Sequence, residues 1–328
     1  ASAPCTLEQL EAAALMASPT MLQASQAVVL AQLAVRDIDS TLIPTLDASI
    51  GYTYSGTDVS GDWENVDGPI ASGSINWLLY DFGKTSAASA QALANLTSAE
   101  HKLRTAANAT RYGVRRACFA LCRAEELQKV AEESTAAYAE HLKQMQDRFE
   151  VGAVNSYAVT KAKVDFSDAR LSLVTASNAV KTARTGLNAS LALIDAPELK
   201  IAEPVIANYT EKTVAELMEI AYTNAPTLAS LRFQAEGAKH YVDKTIADLY
   251  PNLGINLKYD ASYDEDWISQ LVGTAALTES IFSAGRKRRA IEAAVAQLRI
   301  ARSAVAAEEL ALFNQLTAAH LDATRATD

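Results

Sequence analysis

The sequence is short of the features that mark several common protein classes. Three cysteines in 328 residues are too few for a disulfide framework. There is no run of about 18 apolar residues, so no segment is predicted to be a transmembrane helix. Acidic residues outnumber basic ones, with a net charge of −10, which argues against a nucleic-acid-binding protein. Because no phosphate-binding loop, nucleophile motif or acid–base pair stands out, we predict no catalytic residue, no cofactor and no enzyme activity.

The cysteines and histidines do not indicate a metal site. Cys118 and Cys122 lie four residues apart on a predicted helix, where small buried side chains are the favoured interpretation and a redox or metal pair is the alternative. The four histidines are scattered without ligand spacing. Lipidation at Cys5 is disfavoured, because a lipid-bearing cysteine is the first residue of a mature chain. The start of the chain, Ala1 to Pro4, suits a terminus left after signal-peptide cleavage.

Proline is absent between Pro69 and Pro197, which permits very long helices. We predict one helix over 84–149, about 99 Å long at about 1.5 Å per residue, and a return helix over 156–194. Both carry small and apolar residues at alternating three- and four-residue steps, the pattern of coiled-coil packing. Such a hairpin has no compact core of its own, so we expect it to pack beside neighbouring hairpins in a cylinder.

The segment RFEVGAVNSY, residues 148–157, is the predicted tip of this hairpin. Arg148 and Phe149 close the last turn of the outgoing helix. Gly152 supplies the backbone freedom that helix ends often need. Asn155 or Ser156 caps the return helix.

The spacing of the prolines indicates an internal duplication. Pro19 and Pro44 recur as Pro226 and Pro251, a constant offset of 207 residues. The segment 79–84 answers the segment 281–286 at an offset of 202, so the second copy has a shorter loop. Two copies indicate a duplicated unit rather than a solenoid.

Each copy has the same predicted order of short helices, two strands and a long helix. The first repeat, 1–212, has helices over 6–42, strands near 45–55 and 69–80, and the long hairpin over 84–195. The second repeat, 213–328, has helices over 213–249, strands near 252–264 and 268–281, and an outgoing long helix over 284–328. Measured against the first copy, the second is expected to be incomplete, with its return helix absent.

The predicted strands alternate strictly between apolar and polar residues, although Glu279 breaks the apolar side of the fourth strand. One interpretation is a soluble, half-buried sheet. The other is a transmembrane barrel, whose strands need about 9–11 residues, an apolar outer face and aromatic residues near the interfaces. Strand length and aromatic placement favour the barrel. Its lipid-facing residues would be Ile50, Tyr52, Tyr54, Ile75, Trp77, Leu257, Tyr259 and Tyr263, with Lys258 and Asp260 in the lumen.

Four strands cannot enclose a pore, because about eight strands make the smallest barrel that encloses side chains. A membrane barrel built from this chain therefore needs several copies of it.

The ordered motifs resemble the outer-membrane efflux protein family, the TolC-like channels. The matching segments are Trp77-x-x-Tyr80-Asp81-Phe82-Gly83, its echo Ile281-Phe282-x-x-Gly285, and Arg148-Phe149-x-x-Gly152. The resemblance covers nearly the whole chain. It implies a mainly α fold with β structure, in which long coiled-coil hairpins form an α-barrel. Four membrane strands per chain would contribute to a shared twelve-stranded barrel in a homotrimer.

The resemblance implies a passive exit duct of a tripartite efflux or type I secretion system, in the outer membrane of a Gram-negative bacterium and extending into the periplasm. Its partners would be two further copies of the chain, a periplasmic adaptor protein, an inner-membrane pump and outer-membrane lipid. The tip, with Arg148, Phe149, Gly152, Asn155 and Ser156, would lie in the adaptor-docking region. Gly83 and Gly285 would form the strand–helix junctions. Ala158 stands where related channels can carry an acidic constriction residue.

Two alternatives remain open at this point. The chain as a whole suits a periplasmic coiled-coil scaffold or adaptor with a water-soluble sheet and no pore. The basic run Arg286-Lys287-Arg288-Arg289 suits either a nucleic-acid patch or a solvated anchor at the periplasmic edge of the membrane. The second interpretation of the run is favoured, because it follows a strand-to-helix junction.

Overall fold

A computed structural model describes residues 5–59, 62–193, 202, 212–264 and 266–327. The chain forms two compact units, Ala1–Ser25 with Leu103–Tyr209 and Gln26–Lys102 with Thr210–Asp328. These units reflect packing within one chain. The predicted division into two sequence repeats stays a prediction.

The fold is mainly α with a four-stranded sheet, as the sequence predicts. The helices are α1 (Leu7–Ala17), α2 (Pro19–Ser40), α3 (Lys84–Glu150), α4 (Ser156–Ser190), α5 (Val214–Asn224), α6 (Pro226–Ala247) and α7 (Arg286–Thr327). The strands are β1 (Thr45–Val59), β2 (Asp62–Tyr80), β3 (Asn252–Asp264) and β4 (Asp266–Thr278). Of the helices described, none alone has the length and apolar composition to cross a membrane; α1 and α2 have them only as a pair, across a bend of 53°.

The element bounds differ from the predicted ones mainly in the strands. β1 ends later than the predicted 55, and β2 begins earlier than the predicted 69. Backbone pairing continues from Ser55 opposite Val66 to Val59 opposite Asp62, where the sequence no longer alternates between apolar and polar residues. β4 ends at Thr278 rather than at 281. Glu279 instead pairs with Lys287 in the first turn of α7. The return helix ends at Ser190, four residues before the predicted 194, and Leu191 is its C-cap.

In the first unit, α1 packs against α3 and α4. The buried cluster consists of Leu10, Ala14, Val114, Cys118, Leu121, Ala124, Val180, Leu187 and Leu191. Cys118 is fully buried and Cys122 is half-buried, so the first of the two is the small buried side chain that the sequence predicts. Burial raises the pKa of the Cys118 thiol to about 11, so this group stays protonated and unreactive at neutral pH.

In the second unit, α6 packs against the first part of α3 and against α7. The hydroxyls of Ser98 and Ser230 are 3.1 Å apart in a buried contact. The ring of His101 stacks on Phe233, with ring centroids 5.5 Å apart. Arg232 pairs with Glu309 of α7 at 3.1 Å. The polar and aromatic pairs thus align the helices that lead into the sheet.

The short helices α5 and α1 begin with the same local structure. Thr213 accepts a hydrogen bond from the backbone N–H of Glu216, whose carboxylate accepts from the N–H of Thr213. Thr6 and Gln9 make the same reciprocal pair at the start of α1. Each pair satisfies two backbone donors that a helix start leaves free.

Candidate functional site

The four strands form one antiparallel sheet in the order β1-β2-β3-β4. The register places Ile75 opposite both Leu46 and Leu257, while Gly73 lies opposite Tyr259 and Leu257 lies opposite Gly273. Because side chains alternate along every strand, these pairings bring the predicted lipid-facing residues onto one side of the sheet. We call it the apolar face; it contains Leu46, Ile50, Tyr52, Tyr54, Ile75, Trp77, Leu257, Tyr259, Tyr263, Trp267, Leu271 and Leu277.

The apolar face is open in the isolated chain. Ile50 is 89% exposed, Tyr54 73% and Leu271 65%. Exposed apolar surfaces of this extent mark contact with a membrane or another protein. The sheet therefore does not use this face to close a core within one chain.

The opposite side, which we call the polar face, carries a ladder of hydrogen bonds. Asn256 donates to the Oδ1 of Asn76 at 2.6 Å, and Asn76 donates to the Oδ2 of Asp47 at 3.3 Å. The hydroxyls of Ser49 and Ser72 are 2.7 Å apart. These contacts link polar side chains of β1, β2 and β3 at successive levels. Sequence reasoning missed this ladder, because it depends on the register between strands.

The two predicted lumen residues lie on the polar face of β3. Lys258 and Asp260 form an ion pair of 2.9 Å, and both side chains are partly exposed. Their charges cancel, which leaves Asp47 as an unbalanced negative charge at this level of the face. Ile268 and Val272 of β4 also lie on this side, so the polar face is least regular in the strand whose alternation is weakest.

The sheet has two free edges in the part of the chain that the structure describes. β1 pairs only with β2, and β4 pairs only with β3. Each edge leaves a row of backbone N–H and C=O groups without a strand partner. In a bilayer, where water is absent, each such group costs several kcal/mol.

The predicted junction glycines lie at the starts of α3 and α7. Gly83 has φ +94° and Gly285 has φ +74°, the left-handed conformation that glycine adopts without strain. The residues before them, Phe82 and Ala284, also have positive φ values, 55° and 48°. Both junctions therefore turn through the same pair of left-handed residues. This shared geometry is what the duplication hypothesis expects, and the duplication itself stays a prediction.

Asp81 fixes the first junction. Its buried carboxylate accepts hydrogen bonds from the N–H groups of Gly83 at 3.1 Å and Thr85 at 2.6 Å. Burial alone would raise the pKa of Asp81, but the hydrogen bonds from Thr85 and Gly83, with the nearby charge of Lys84, lower it below its ordinary value. The ionised side chain therefore caps α3.

Lys84 ties this junction to the one between α6 and β3. Its ammonium group donates to the carbonyl of Tyr250 at 2.7 Å and to the Oδ1 of Asn252 at 2.6 Å. The ring of Phe82 lies between Tyr80, at 4.8 Å, and Tyr250, at 6.2 Å. An aromatic cluster thus lies at the helical end of β2 and β3, and barrels in membranes carry aromatic girdles at such ends.

Trp77 lies at the same level on the apolar face. Its indole N–H donates to the carbonyl of Leu42 at 3.0 Å, while its ring remains 43% exposed. A tryptophan with a satisfied N–H and an exposed ring is typical of a membrane–water interface.

The hairpin tip is built as the sequence predicts. Gly152 has φ +74°, and its N–H donates to the carbonyl of Phe149, while that of Ala153 donates to Arg148. Of the two predicted caps, Asn155 is the one used: its side chain accepts from the N–H of Ala158 at 3.1 Å. Ser156 is the first residue of α4.

The tip also presents a cluster of exposed apolar side chains. Val151 is 79% exposed, Tyr157 72% and Phe149 47%. Sequence reasoning singled out Phe149 but missed Val151 and Tyr157, since exposure at a turn cannot be read from hydropathy.

Comparison with known proteins identifies a family with this architecture. The profile of the outer membrane efflux protein family matches residues 11–193 and 217–328. No curated protein sequence matches the chain significantly.

Several solved structures share the fold. The CmeC outer membrane channel of Campylobacter jejuni is 14% identical with a TM-score of 0.83, covering 94% of this chain and 68% of its own. A membrane protein of Pseudomonas aeruginosa is 17% identical with a TM-score of 0.82, covering 96% and 75%. The outer membrane protein VceC of Vibrio cholerae is 18% identical with a TM-score of 0.76, covering 93% and 75%.

The family match extends over most of the chain, and the fold of these structures extends over nearly all of it. The chain therefore belongs to the outer membrane efflux protein family, and it is an outer-membrane exit duct of an efflux system, extending into the periplasm, rather than an enzyme.

Proposed function

We propose that three copies of this chain close a twelve-stranded barrel, with the apolar face in lipid and the polar face around a water-filled lumen. The observation that carries the proposal is the register, which brings most apolar side chains of the four strands onto one face and most polar ones onto the other, with Ile268, Val272 and Asp67 as exceptions. A soluble sheet would bury one face in its own chain, but here both faces are exposed.

The free edges support closure between copies. If β1 of one copy pairs with β4 of the next, every edge is removed and every strand gains a second neighbour. Two copies would give only eight strands, whose interior is filled by side chains. Three copies give twelve strands, the number that the family resemblance implies, with room for a conduit.

The polar face gives the lumen its proposed character. Asp47, Lys258 and Asp260 leave a net negative charge in each copy, which three copies repeat around the axis. Ringed acidic groups attract cations and slow anions. We therefore expect a cation-preferring pore.

The tip of the hairpin formed by α3 and α4 is the proposed docking site for a periplasmic adaptor protein. Phe149, Val151 and Tyr157 expose apolar surface beside Arg148. Aromatic side chains and arginine are the residue types enriched at interfaces. Through the adaptor, an inner-membrane pump would supply the energy, and the duct itself would be passive.

Reconstitution in a planar bilayer tests the proposal. The purified protein should have the mass of a trimer in detergent and should conduct ions with cation preference. Replacing Asp47 and Asp260 with asparagine should reduce that preference, while the matched pair Asp37→Asn and Asp39→Asn on α2, outside the strands, should leave it unchanged. A monomer that is stable in buffer without detergent and does not conduct would refute the proposal.

A further inference from the structure

The junction between β4 and α7 carries an exposed amphiphilic surface. Ile281 is 97% exposed and Phe282 87%. Four residues later, α7 begins with Arg286, Lys287, Arg288 and Arg289. We call Ile281, Phe282 and these four basic residues the junction patch.

The basic residues stand where a helix disfavours them. Positive charges in the first turn oppose the helix dipole, and α7 has no acidic residue in that turn. Lys287 is paired with Glu279 and Arg288 with Glu292. For Arg286 and Arg289, the described part of the chain offers no carboxylate partner within ion-pair distance. The patch thus concentrates positive charge at a helix N-terminus, where an anion is favoured.

The first junction, with the same backbone, satisfies its own groups. Tyr80, the counterpart of Phe282, packs on Phe82. Lys84, the counterpart of Arg286, is bound to the carbonyl of Tyr250. The second junction lacks equivalent internal contacts among the described residues. This asymmetry leaves the junction patch open to a ligand outside the chain, beside the β4 edge that the next copy would cover in the proposed ring.

The position of the patch identifies the chemistry of that ligand. Ile281 and Phe282 follow β4 in the chain, three and four residues after its end at Thr278, and Leu277, the last apolar-face residue of β4, is 64% exposed. The helical end of the sheet lies on the periplasmic side, so the patch lies at the level of the inner leaflet. An apolar pair beside a basic cluster has the two features that favour binding to an anionic lipid surface.

We propose that the junction patch binds anionic phospholipid of the inner leaflet. Ile281 and Phe282 lie among the acyl chains, while Arg286 and Arg289 bind the phosphate of the headgroup and Arg288 adds charge. This inference rests on the proposed membrane barrel and adds a lipid preference to it.

The test is a lipid titration of the detergent-purified protein by native mass spectrometry. The probes are phosphatidylglycerol and the zwitterionic phosphatidylcholine. The variant R286Q/R289Q removes the two guanidinium groups of the patch that have no carboxylate partner among the described residues. The variant R299Q/R302Q removes the same charge from exposed positions further along α7 and is the matched control.

R286Q/R289Q should lose about 30-fold in affinity for phosphatidylglycerol, since each basic group near an anionic surface contributes about fivefold. R299Q/R302Q should bind as the native protein does. A third variant, I281S/F282S, should weaken binding of both lipids, because it removes the acyl-chain contact.

Three results would overturn the proposal: equal affinity of R286Q/R289Q and native protein, no preference for phosphatidylglycerol over phosphatidylcholine, or complete displacement of the lipid by inorganic phosphate. An acidic peptide that binds where phosphatidylglycerol does not would assign the patch to a protein partner instead. Mass and conductance of the native protein separate this failure from a failure of the barrel, since a native protein that is trimeric and conducts ions keeps the barrel whatever its lipid preference.

Discussion

The orientation of the sheet can be tested with arginine at two adjacent positions of β1. Ile50 lies on the apolar face and is 89% exposed, while Ser49 lies on the polar face beside Ser72. If the apolar face lies in lipid as proposed, Ile50→Arg would place a charge in hydrocarbon near the middle of the strand. Ser49→Arg would then place the same charge in the lumen. The two variants have the same net charge and the same place along the strand, so only the direction of the side chain differs.

The expected costs differ by several kcal/mol. Arginine on the lipid face of a barrel costs about 2–4 kcal/mol near the bilayer midplane. This corresponds to about a 30- to 900-fold change in the folding equilibrium for each copy. Ser49→Arg loses one neutral hydrogen bond at a solvated position, about 1 kcal/mol or less.

The assay is guanidinium unfolding of protein folded into phospholipid vesicles, followed by the change in gel mobility on heating. Ile50→Arg should lower the unfolding midpoint clearly, or prevent insertion, while Ser49→Arg should unfold close to the native midpoint. Equal effects, or a larger effect at Ser49, would show that the assignment of the two faces is wrong.

Three further outcomes are expected. Gly83→Ala should lower the melting temperature by an amount equivalent to about 1–2 kcal/mol, because φ is +94°, which strains any residue with a Cβ even though an added Cβ would meet no atom within 4 Å. The same change at Gly186, where an added Cβ also meets nothing but the backbone is helical, should raise the melting temperature slightly. Folding lowers the pKa of Asp81, so the contribution of this carboxylate to stability is present above its ordinary pKa of 3.8 and is lost as the pH falls through the folded value. Asp81→Asn should therefore be less stable than the native protein at pH 7, and it should lose less stability than the native protein does between pH 7 and pH 3. Thermal unfolding at the two pH values measures both differences. Leu187→Ala, at a fully buried site, should cost about 2–5 kcal/mol in denaturant unfolding.

The helices and the face of each strand could be predicted because both depend on periodicity within one segment. The run without proline after Pro69 led to α3, which ends at Glu150, one residue beyond the predicted 149. Alternation in β3 predicted that Leu257 and Lys258 point to opposite sides. Both predictions depend only on residues a few positions apart in the sequence, and tertiary packing keeps the helix and the strand that they predict.

Features that depend on pairing between distant segments could not be predicted. The ladder from Asp47 to Asn256 requires the register of three strands, and the bond from Lys84 to Tyr250 joins residues that are 166 positions apart. The left-handed backbone of Phe82 and Ala284 had no sequence signal, since neither residue type favours it. Whether Asn155 or Ser156 caps α4 depends on which residue begins the helix, and sequence patterns do not fix helix ends to a single residue.

The two free edges of the sheet have a genetic consequence. If each copy must pair with the edge strands of its neighbours, one defective copy prevents closure of the ring that contains it. In a cell that makes native and defective chains in equal amounts, only about one-eighth of the proposed three-copy rings, assembled at random, would be wholly native. Alleles that fold but fail at an edge strand should therefore behave as dominant, whereas alleles that never reach assembly should be recessive.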